Sequence, residues 1–247
     1  MNGPSPLPAG AVAGGQSLAK TAIDAVRRHI HDERLRVGDT LPGEGYFAER
    51  LGVSRAVMRE AFGALAALKL IDVANGRRAR VAALDGSVIS ATLTHAISTA
   101  QIDVANVWDV RRTIELRTAE LAARHGSLKQ VGRILALAQA LADDRLQQEE
   151  LTEEDIEFHL AIAEASGNAL FFQIVQSFVP LMRVAVPTAW STRQTPEQRA
   201  EIRERHQRLA RAIADHDPER ARACMEAHFD ESIGALLAAS RNGSAAV

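Results

Sequence analysis

The sequence is poor in cysteine and aromatic residues and has no long apolar run. The single cysteine, Cys224, excludes an internal disulfide framework and fits a reducing cytoplasm. Aromatic residues make up only 4% of the chain, whereas alanine is abundant, which favours helices that pack closely through small side chains. No segment is long and apolar enough to span a bilayer, and no secretory signal is recognisable. We therefore expect a cytoplasmic protein that does not act at a membrane.

Charge is distributed unevenly along the 247 residues. The formal net charge of −2 by itself argues against nucleic-acid binding. Residues 1–83, however, contain 12 lysines and arginines against 8 acidic residues, net +4, and the remaining 164 residues contain 17 against 23, net −6. A basic N-terminal part joined to a larger acidic part is typical of a DNA-binding module attached to a module with another role.

Residues 38–70 have the pattern of two helices joined by a tight turn. Gly52 can end the first helix because glycine adopts the left-handed conformation without steric cost. Ser54 is a good N-cap for the second helix, and Arg55 and Arg59 lie one turn apart near its start. The apolar stripe of that helix consists of Val57, Ala61, Phe62, Leu65 and Leu68. A helix-turn-helix presents its recognition helix to the DNA major groove in this way.

A helix before this segment and a β-hairpin after it complete the N-terminal part. The helix is predicted from about Ser17 to His31. Residues 70–73 and 79–81 read as short strands, and Asn75-Gly76 between them is a strong signal for a two-residue hairpin turn. Arginines on the tip and return strand can reach phosphates or the minor groove, although they can also be merely solvated. These arginines are Arg77, Arg78 and Arg80.

The helix-turn-helix segment resembles that of GntR-family transcription regulators. The residues that carry the resemblance are Gly38, Leu41, Pro42, Glu44, Ala48, Leu51, Gly52, Val53, Ser54, Arg55, Arg59, Glu60 and Ala61. Gly45 departs from the pattern, because the family usually has a basic DNA-contacting residue there, and Gly43 and Arg78 depart too. The resemblance implies a winged helix-turn-helix that binds double-stranded DNA as a homodimer at a near-palindromic operator. Ser54, Arg55 and Arg59 would then lie at the DNA.

The remainder of the chain is expected to be helical almost throughout. Residues 85–87 are expected to be a linker that ends in a helix cap, and Ser127 and Pro218 mark later helix starts. Pro180 should kink the fifth helix of this part. The predicted helices are 88–100, 104–125, 128–148, 152–166, 169–186, 196–215 and 218–240. They predict an all-α bundle of six to seven helices.

Four polar side chains in this helical part are spaced like a metal site. Asp155 and His159 are four residues apart and share a helix face. His206 and His228 lie about equally far before and after the turn at residues 215–218, so antiparallel helices would place them at nearly the same height. Imidazole and carboxylate ligands suit a divalent transition metal, with zinc favoured over nickel, iron or manganese. The alternative is that each histidine is an ordinary solvated or hydrogen-bonded residue.

The helical part resembles the FCD effector-binding domain of the FadR-type branch of GntR regulators. The resemblance rests on residues 110–115, on Asp155 with His159, on residues 166–168, and on His206 with His228. Many members of that family hold a metal at the positions of these four residues. They also bind a small carboxylate at the position of Arg111. Arg112 is the alternative candidate for this role, because the register of the helix cannot be fixed from the sequence. Arg111 can instead pair with Glu115, and Asn168 can cap the next helix or bind the effector.

Together these features predict a mainly α, metabolite-responsive repressor. The expected segments are a flexible arm at 1–16, a winged helix-turn-helix at 17–83, a metal- and effector-binding domain at 84–240 and a flexible tail at 241–247. A small carboxylate beside the metal would release the protein from its operator. Two alternatives remain: a metal-dependent enzyme acting on a small organic acid, and a DNA-binding protein whose metal is purely structural.

Overall fold

The chain divides into two compact units, residues 1–85 and 86–247. The computed structural model describes residues 17–143, 145–191 and 195–243, with side chains except at 188–189 and 231–243. The predicted arm at residues 1–16 and residues 244–247 of the predicted tail lie outside the described residues. Residues 241–243 belong to the last helix.

In the first unit, the described residues from 17 onward form three helices and one small antiparallel sheet. Its elements are α1 (Leu18–Asp32), α2 (Glu44–Leu51), α3 (Arg55–Ala67), β1 (Ile71–Asp72) and β2 (Arg80–Val81). Gly52 ends α2 with a φ of 66°, and the Ser54 side chain caps α3 by accepting a hydrogen bond from the Val57 amide at 3.3 Å. Buried side chains of all three helices and β1 form one core, which includes Val26, Phe47 and Leu65. Leu68, at the end of the predicted apolar stripe, is instead the C-cap of α3 and 52% exposed.

The β-hairpin is present, but its strands are shorter and its loop longer than the sequence predicts. Asp72 pairs with Arg80 and Ile71 with Val81, so residues 73–79 form the loop. The turn is centred on Asn75 and Gly76, as predicted. The Arg77 amide closes it by donating to the Ala74 carbonyl at 3.1 Å. Gly76 has a φ of 74°, whereas Asn75 does not have a positive φ. A type I′ turn needs positive φ at both central residues, so the predicted two-residue hairpin does not form.

The second unit is entirely helical in the residues that the structure describes. Its helices are α4 (Ser87–Ser98), α5 (Val104–His125), α6 (Leu128–Ala140), α7 (Gln148–Ala165), α8 (Ala169–Ser177), α9 (Val179–Ser191), α10 (Pro196–Ala214) and α11 (Pro218–Gly243). Helix α5 packs against α7, α10 and α11 around a core of large apolar side chains. The prediction of a winged helix-turn-helix followed by an all-α bundle is therefore confirmed, although the described residues of the bundle form eight helices instead of six to seven.

Among the helix boundaries of this unit that differ from the prediction, three have local reasons. The expected single helix over 169–186 is two helices, α8 and α9, which meet at a bend of 53°. Pro180 lacks the N–H that would continue the hydrogen-bond ladder, so the predicted kink becomes a break at Phe178. Helix α6 ends at residue 140, shortly before the Asp143 side chain accepts a hydrogen bond from the Arg145 amide at 3.0 Å. Helix α7 starts at residue 148, and the capping box of Gln147 and Glu150 precedes the predicted start.

Among the described residues, no single helix has the length and hydropathy of a membrane span. One bent pair, Ala169–Ser177 with Val179–Pro187, reaches those limits by length and composition alone.

Candidate metal centre and nucleic-acid interface

Three buried histidines from three helices converge in the second unit. His159 lies on α7, His206 on α10 and His228 on α11, and each exposes 7% or less of its surface. One ring nitrogen of each lies within 4.8 Å of the corresponding atoms of the other two. The short turn between α10 and α11, residues 215–217, is what places His206 and His228 side by side, with ring centroids 4.8 Å apart.

Asp155 completes the cluster from the same face of α7 as His159. Its Oδ1 lies 3.1 Å from His206 Nε2, and its Oδ2 lies 3.9 Å from His159 Nε2. Burial alone would raise the pKa of Asp155, but the hydrogen bond to His206 and the nearby imidazoles outweigh it and lower that pKa. Asp155 is therefore an anion among imidazoles, as a metal ligand must be.

Hydrogen bonds to the far sides of two imidazoles determine which nitrogen faces the cluster. His206 Nδ1 lies 2.9 Å from the Ile202 carbonyl, which can only accept, so Nδ1 carries the proton. The Nε2 lone pair of a neutral His206 then faces Asp155, which also only accepts. Two lone pairs 3.1 Å apart repel each other unless a proton or a metal ion lies between them. The donor set thus fits a divalent cation.

A hydrogen bond also orients His159, and its acceptor is a carboxylate that was not predicted from the sequence to belong to the site. Its Nδ1 donates to Oε2 of Glu115 on α5, and both residues are buried. His159 Nε2 is consequently left to face Asp155. A buried carboxylate behind a metal-binding histidine is a frequent arrangement, because it holds the ring orientation and raises the basicity of the ligand.

His228 is suited to act as a neutral ligand. Burial lowers the pKa of His228 well below its ordinary value, and the proximity of His206 and His159 lowers it further. A neutral imidazole is the form that binds a metal.

Arg111 pairs with Glu115 behind the cluster. Its Nε donates to Glu115 Oε1 at 2.8 Å, and both side chains are buried. Burial alone would raise the pKa of Glu115, but the charges of Arg111 and His159 lower it. The Arg111–Glu115 helix pair, which the sequence left as an alternative to effector binding, is thus formed. Arg111 nevertheless lines a cavity of about 20 Å³ next to the cluster. The other residues around this cavity are Trp108, Asp155, His159, Val186, Trp190, Ile202 and His228.

The two other predicted effector residues make contacts elsewhere. Arg112 donates to Glu226 at 2.7 Å and to Asp230 at 2.9 Å, both on α11. The Asn168 side chain caps α8 by accepting from the amides of Leu170 and Phe171. Neither Arg112 nor Asn168 lines the cavity. Of the three predicted effector residues, only Arg111 is placed to meet a ligand there.

In the first unit, the start of α3 presents exposed arginines. Arg55 and Arg59 are both exposed, and Arg59 Nε lies 3.9 Å from a carboxylate oxygen of Glu44. A Cβ on Gly45 would lie 3.7 Å from the Arg55 guanidinium. Because Gly45 has no side chain, the Arg55 guanidinium lies beside the backbone of α2. The resemblance to GntR-family regulators instead predicts a basic side chain at position 45.

The three wing arginines are all exposed. Arg77 and Arg78 belong to the loop, whereas Arg80 lies on β2 and donates to the Gly38 carbonyl at 3.4 Å. Cations on this loop and strand can contact phosphates, which is the electrostatic part of DNA binding.

A winged helix-turn-helix joined to an all-α unit with a buried histidine cluster is the architecture of a DNA-binding transcription regulator. Family models agree with this class. Residues 18–81 match "Bacterial regulatory proteins, gntR family", and residues 106–231 match the FCD domain. The chain therefore belongs to the GntR family of regulators, in the branch that carries an FCD domain.

Characterised relatives are similar along most of their length. The Glc operon transcriptional activator of Escherichia coli K12 is 30% identical over 217 residues, which cover 85% of each chain. The regulator LutR of Bacillus subtilis is 30% identical over 81% of this chain and 92% of its own. The repressor NanR of Salmonella newport is 28% identical over 83% and 78%, respectively. The family to which the chain belongs and the names of these relatives are those of transcription regulators, so the expectation of a regulator instead of an enzyme is confirmed.

Solved structures support the fold. A Streptococcus agalactiae GntR protein superposes with a TM-score of 0.59 at 21% identity, over 85% of this chain and 97% of that one.

Proposed function

We propose that this protein is a metabolite-responsive repressor that leaves its operator when a small carboxylate binds beside a divalent metal ion in the helical unit. The observation that carries the proposal is the convergence of His159, His206 and His228 within 4.8 Å, next to a cavity that Arg111 lines. The family membership supplies the DNA-binding role, and the site supplies the link to a metabolite.

At the DNA, α3 acts as the recognition helix. Arg55 and Arg59 read base edges, where a bidentate arginine recognises guanine O6 and N7. Ser54 holds the start of the helix, and the wing contributes Arg77, Arg78 and Arg80 as phosphate or minor-groove contacts. A homodimer on a near-palindromic operator would place two such helices roughly 34–36 Å apart, one turn of DNA.

In the helical unit, Asp155 and the three histidines hold the metal. Zinc is the ion that we favour, since imidazole and carboxylate are its usual ligands, although nickel, manganese or iron suit the same set. When bound, the ion attracts an anionic ligand as a Lewis acid. Glu115 keeps His159 in the tautomer that presents Nε2.

The effector binds through Arg111. Its Nε is used by Glu115, while among the described residues its terminal nitrogens have no hydrogen-bond partner. Those nitrogens are left to bind the carboxylate of a small acid. Such a ligand changes DNA affinity only if it binds the free and the DNA-bound conformations with different affinities.

Two observations favour a second reading, in which the metal is purely structural. The ion pair between Arg111 and Glu115 satisfies part of the guanidinium without any ligand, and the cavity of about 20 Å³ is small. In that case operator binding would require the metal and would ignore every small acid.

One experiment separates the two readings. The metal content of the purified protein is measured by elemental mass spectrometry. Operator binding is then followed by fluorescence anisotropy for apo and metal-loaded protein, with and without a panel of small carboxylates. Release by one acid, only in the metal-loaded protein, supports the proposal. Metal-dependent binding that no acid alters supports the structural role. DNA binding that is indifferent to both metal and acids would overturn the effector site.

A further inference from the structure

Gly45 is a glycine in the first turn of α2 that the backbone conformation does not require. Its φ is not positive, unlike that of Gly52 at the other end of the helix, which is 66°. A glycine at an ordinary helical position costs stability relative to alanine, because it has more conformational freedom to lose on folding. What Gly45 provides instead is the space that a side chain would fill.

That space holds the guanidinium of Arg55, the first residue of α3. From the point where a Cβ of residue 45 would lie, Arg55 Nη2 is 3.7 Å away, Nε 3.9 Å and Cζ 4.0 Å. These are ordinary contact distances, so a methyl group fits there, whereas a longer side chain would take the place of the guanidinium. Arg55 can therefore lie beside α2 because residue 45 is small.

The contact with Gly45 leaves the hydrogen-bond donors of Arg55 available. Among the described residues, the Arg55 side chain makes no ion pair and no hydrogen bond, whereas Arg59, one turn later, has its Nε 3.9 Å from a carboxylate oxygen of Glu44. A guanidinium has five N–H donors. Packing against a glycine orients Arg55 without using any of them, which a carboxylate at the same place could not do.

The two helices are fixed to each other, so the place that Arg55 occupies is fixed as well. Phe47 of α2 and Phe62 of α3 are both buried in the core of the first unit, with ring centroids 5.9 Å apart. A long arginine side chain loses rotamer freedom on binding, and part of that loss is avoided when the free protein already restricts it. Gly45 thus preorganises Arg55.

We propose that Gly45 is a specificity-determining position of the DNA-binding unit. Its missing side chain lets the Arg55 guanidinium lie across the first turn of α2, and this sets the direction from which Arg55 reaches a guanine edge. Gly45 is a positioning residue, because it acts through Arg55 and needs no DNA contact of its own. This inference rests on the proposed base-reading role of Arg55.

Two substitutions at position 45 test the role of the space. The operator is first selected from a pool of random duplexes with the wild-type protein, and its single-base-pair variants are then titrated by fluorescence anisotropy. Gly45→Ala adds only a methyl group and should keep the wild-type base preferences. Gly45→Leu should displace the guanidinium and reduce the preference for guanine at one position by about 5-fold or more, the lower end of what a bidentate arginine contributes.

Combining Gly45→Leu with Arg55→Ala shows whether Gly45 acts through Arg55. Arg55→Ala alone should weaken the guanine preference at the same position, and Gly45→Leu should then reduce it no further. A leucine that touched the DNA directly would instead have the same effect with and without Arg55. The preference is a ratio of affinities measured with one protein preparation, so a loss of folded protein cancels.

Gly132→Leu is the matched control in the helical unit. Gly132 is an exposed glycine of α6, and a Cβ there would have nothing within 4 Å. The same change of side chain at this position should alter no base preference.

The outcomes separate this inference from the proposed function. If Arg55→Ala weakens the guanine preference while Gly45→Leu keeps it, the inference fails and Arg55 remains a base-reading residue. The inference also fails if Gly45→Leu has an equal effect in the Arg55→Ala protein. If Arg55→Ala weakens binding to all sequences alike, Arg55 does not read a base, and both its proposed role and the inference are overturned.

Discussion

His159 and Glu115 are joined by a buried hydrogen bond from Nδ1 of the imidazole to Oε2 of the carboxylate. The bond links α7 to α5, the helix that also carries Arg111. It leaves His159 Nε2 facing Asp155 and the other two histidines. The orientation of one proposed metal ligand thus depends on a residue 44 positions earlier in the chain.

Replacing Glu115 tests this link. We predict that Glu115→Gln lowers metal affinity by about 10- to 100-fold, because the amide is a weaker acceptor than the carboxylate and no longer fixes the tautomer of His159. Metal affinity is measured by competition with a chromophoric chelator. Glu120→Gln, at a partly buried position of α5, removes an equal charge that pairs with Arg117 and Arg124 and should leave metal affinity unchanged. If a folded Glu115→Gln protein keeps full metal affinity, the role of Glu115 is limited to neutralising the charge of Arg111.

The metal site itself is tested by stoichiometry. We expect about one equivalent of a divalent transition metal in the wild-type protein and much less in His206→Ala, because the variant loses one imidazole ligand. Elemental mass spectrometry after reloading and desalting measures this. His95→Ala is the matched control, since His95 is an exposed histidine of α4 in the same unit. Equal metal content in all three proteins would remove His206 from the ligand set.

Recognition by α3 is tested at Arg59. Arg59→Ala should cost about 1–3 kcal/mol of operator affinity and relax the preference at one base-pair position. Anisotropy titrations on the operator and on single-position variants of it measure both effects. Arg124→Ala removes the same charge from an exposed position in the helical unit and should change neither. Uniform weakening on all sequences, with the salt slope reduced by about one, would make Arg59 a phosphate contact instead.

Ser54 allows stability and DNA binding to be separated. Ser54→Ala should lower the free energy of unfolding by about 0.5–2 kcal/mol, because it removes the hydrogen bond to the Val57 amide. Ser54→Asp keeps a capping oxygen and should retain most of that stability, but its negative charge would lie beside DNA phosphates. We therefore expect the aspartate variant to unfold near the wild-type denaturant midpoint and to bind operator more weakly than the alanine variant. If both variants bind DNA equally well, Ser54 is a cap alone.

Local signals in the sequence located most of the helices. Ser54 caps α3 as predicted, and Gly52 ends α2 in the left-handed conformation. These features depend on neighbours within four residues, which is the range over which helix caps act. The hairpin prediction was less accurate, because strand register depends on cross-strand pairs such as Asp72 with Arg80, and these are not local.

By itself, the sequence determined the two-part organisation of charge, the helix-turn-helix with its exposed arginines, and the Asp155–His159 pair on one helix face. Only the tertiary structure decided which side chains of α5 face inward. Arg111 lines the cavity while Arg112 pairs with α11, and Glu115 and Trp108 become part of the site. Helical periodicity relates residues of one helix to each other, but the direction of the whole helix face is set by packing against α7, α10 and α11.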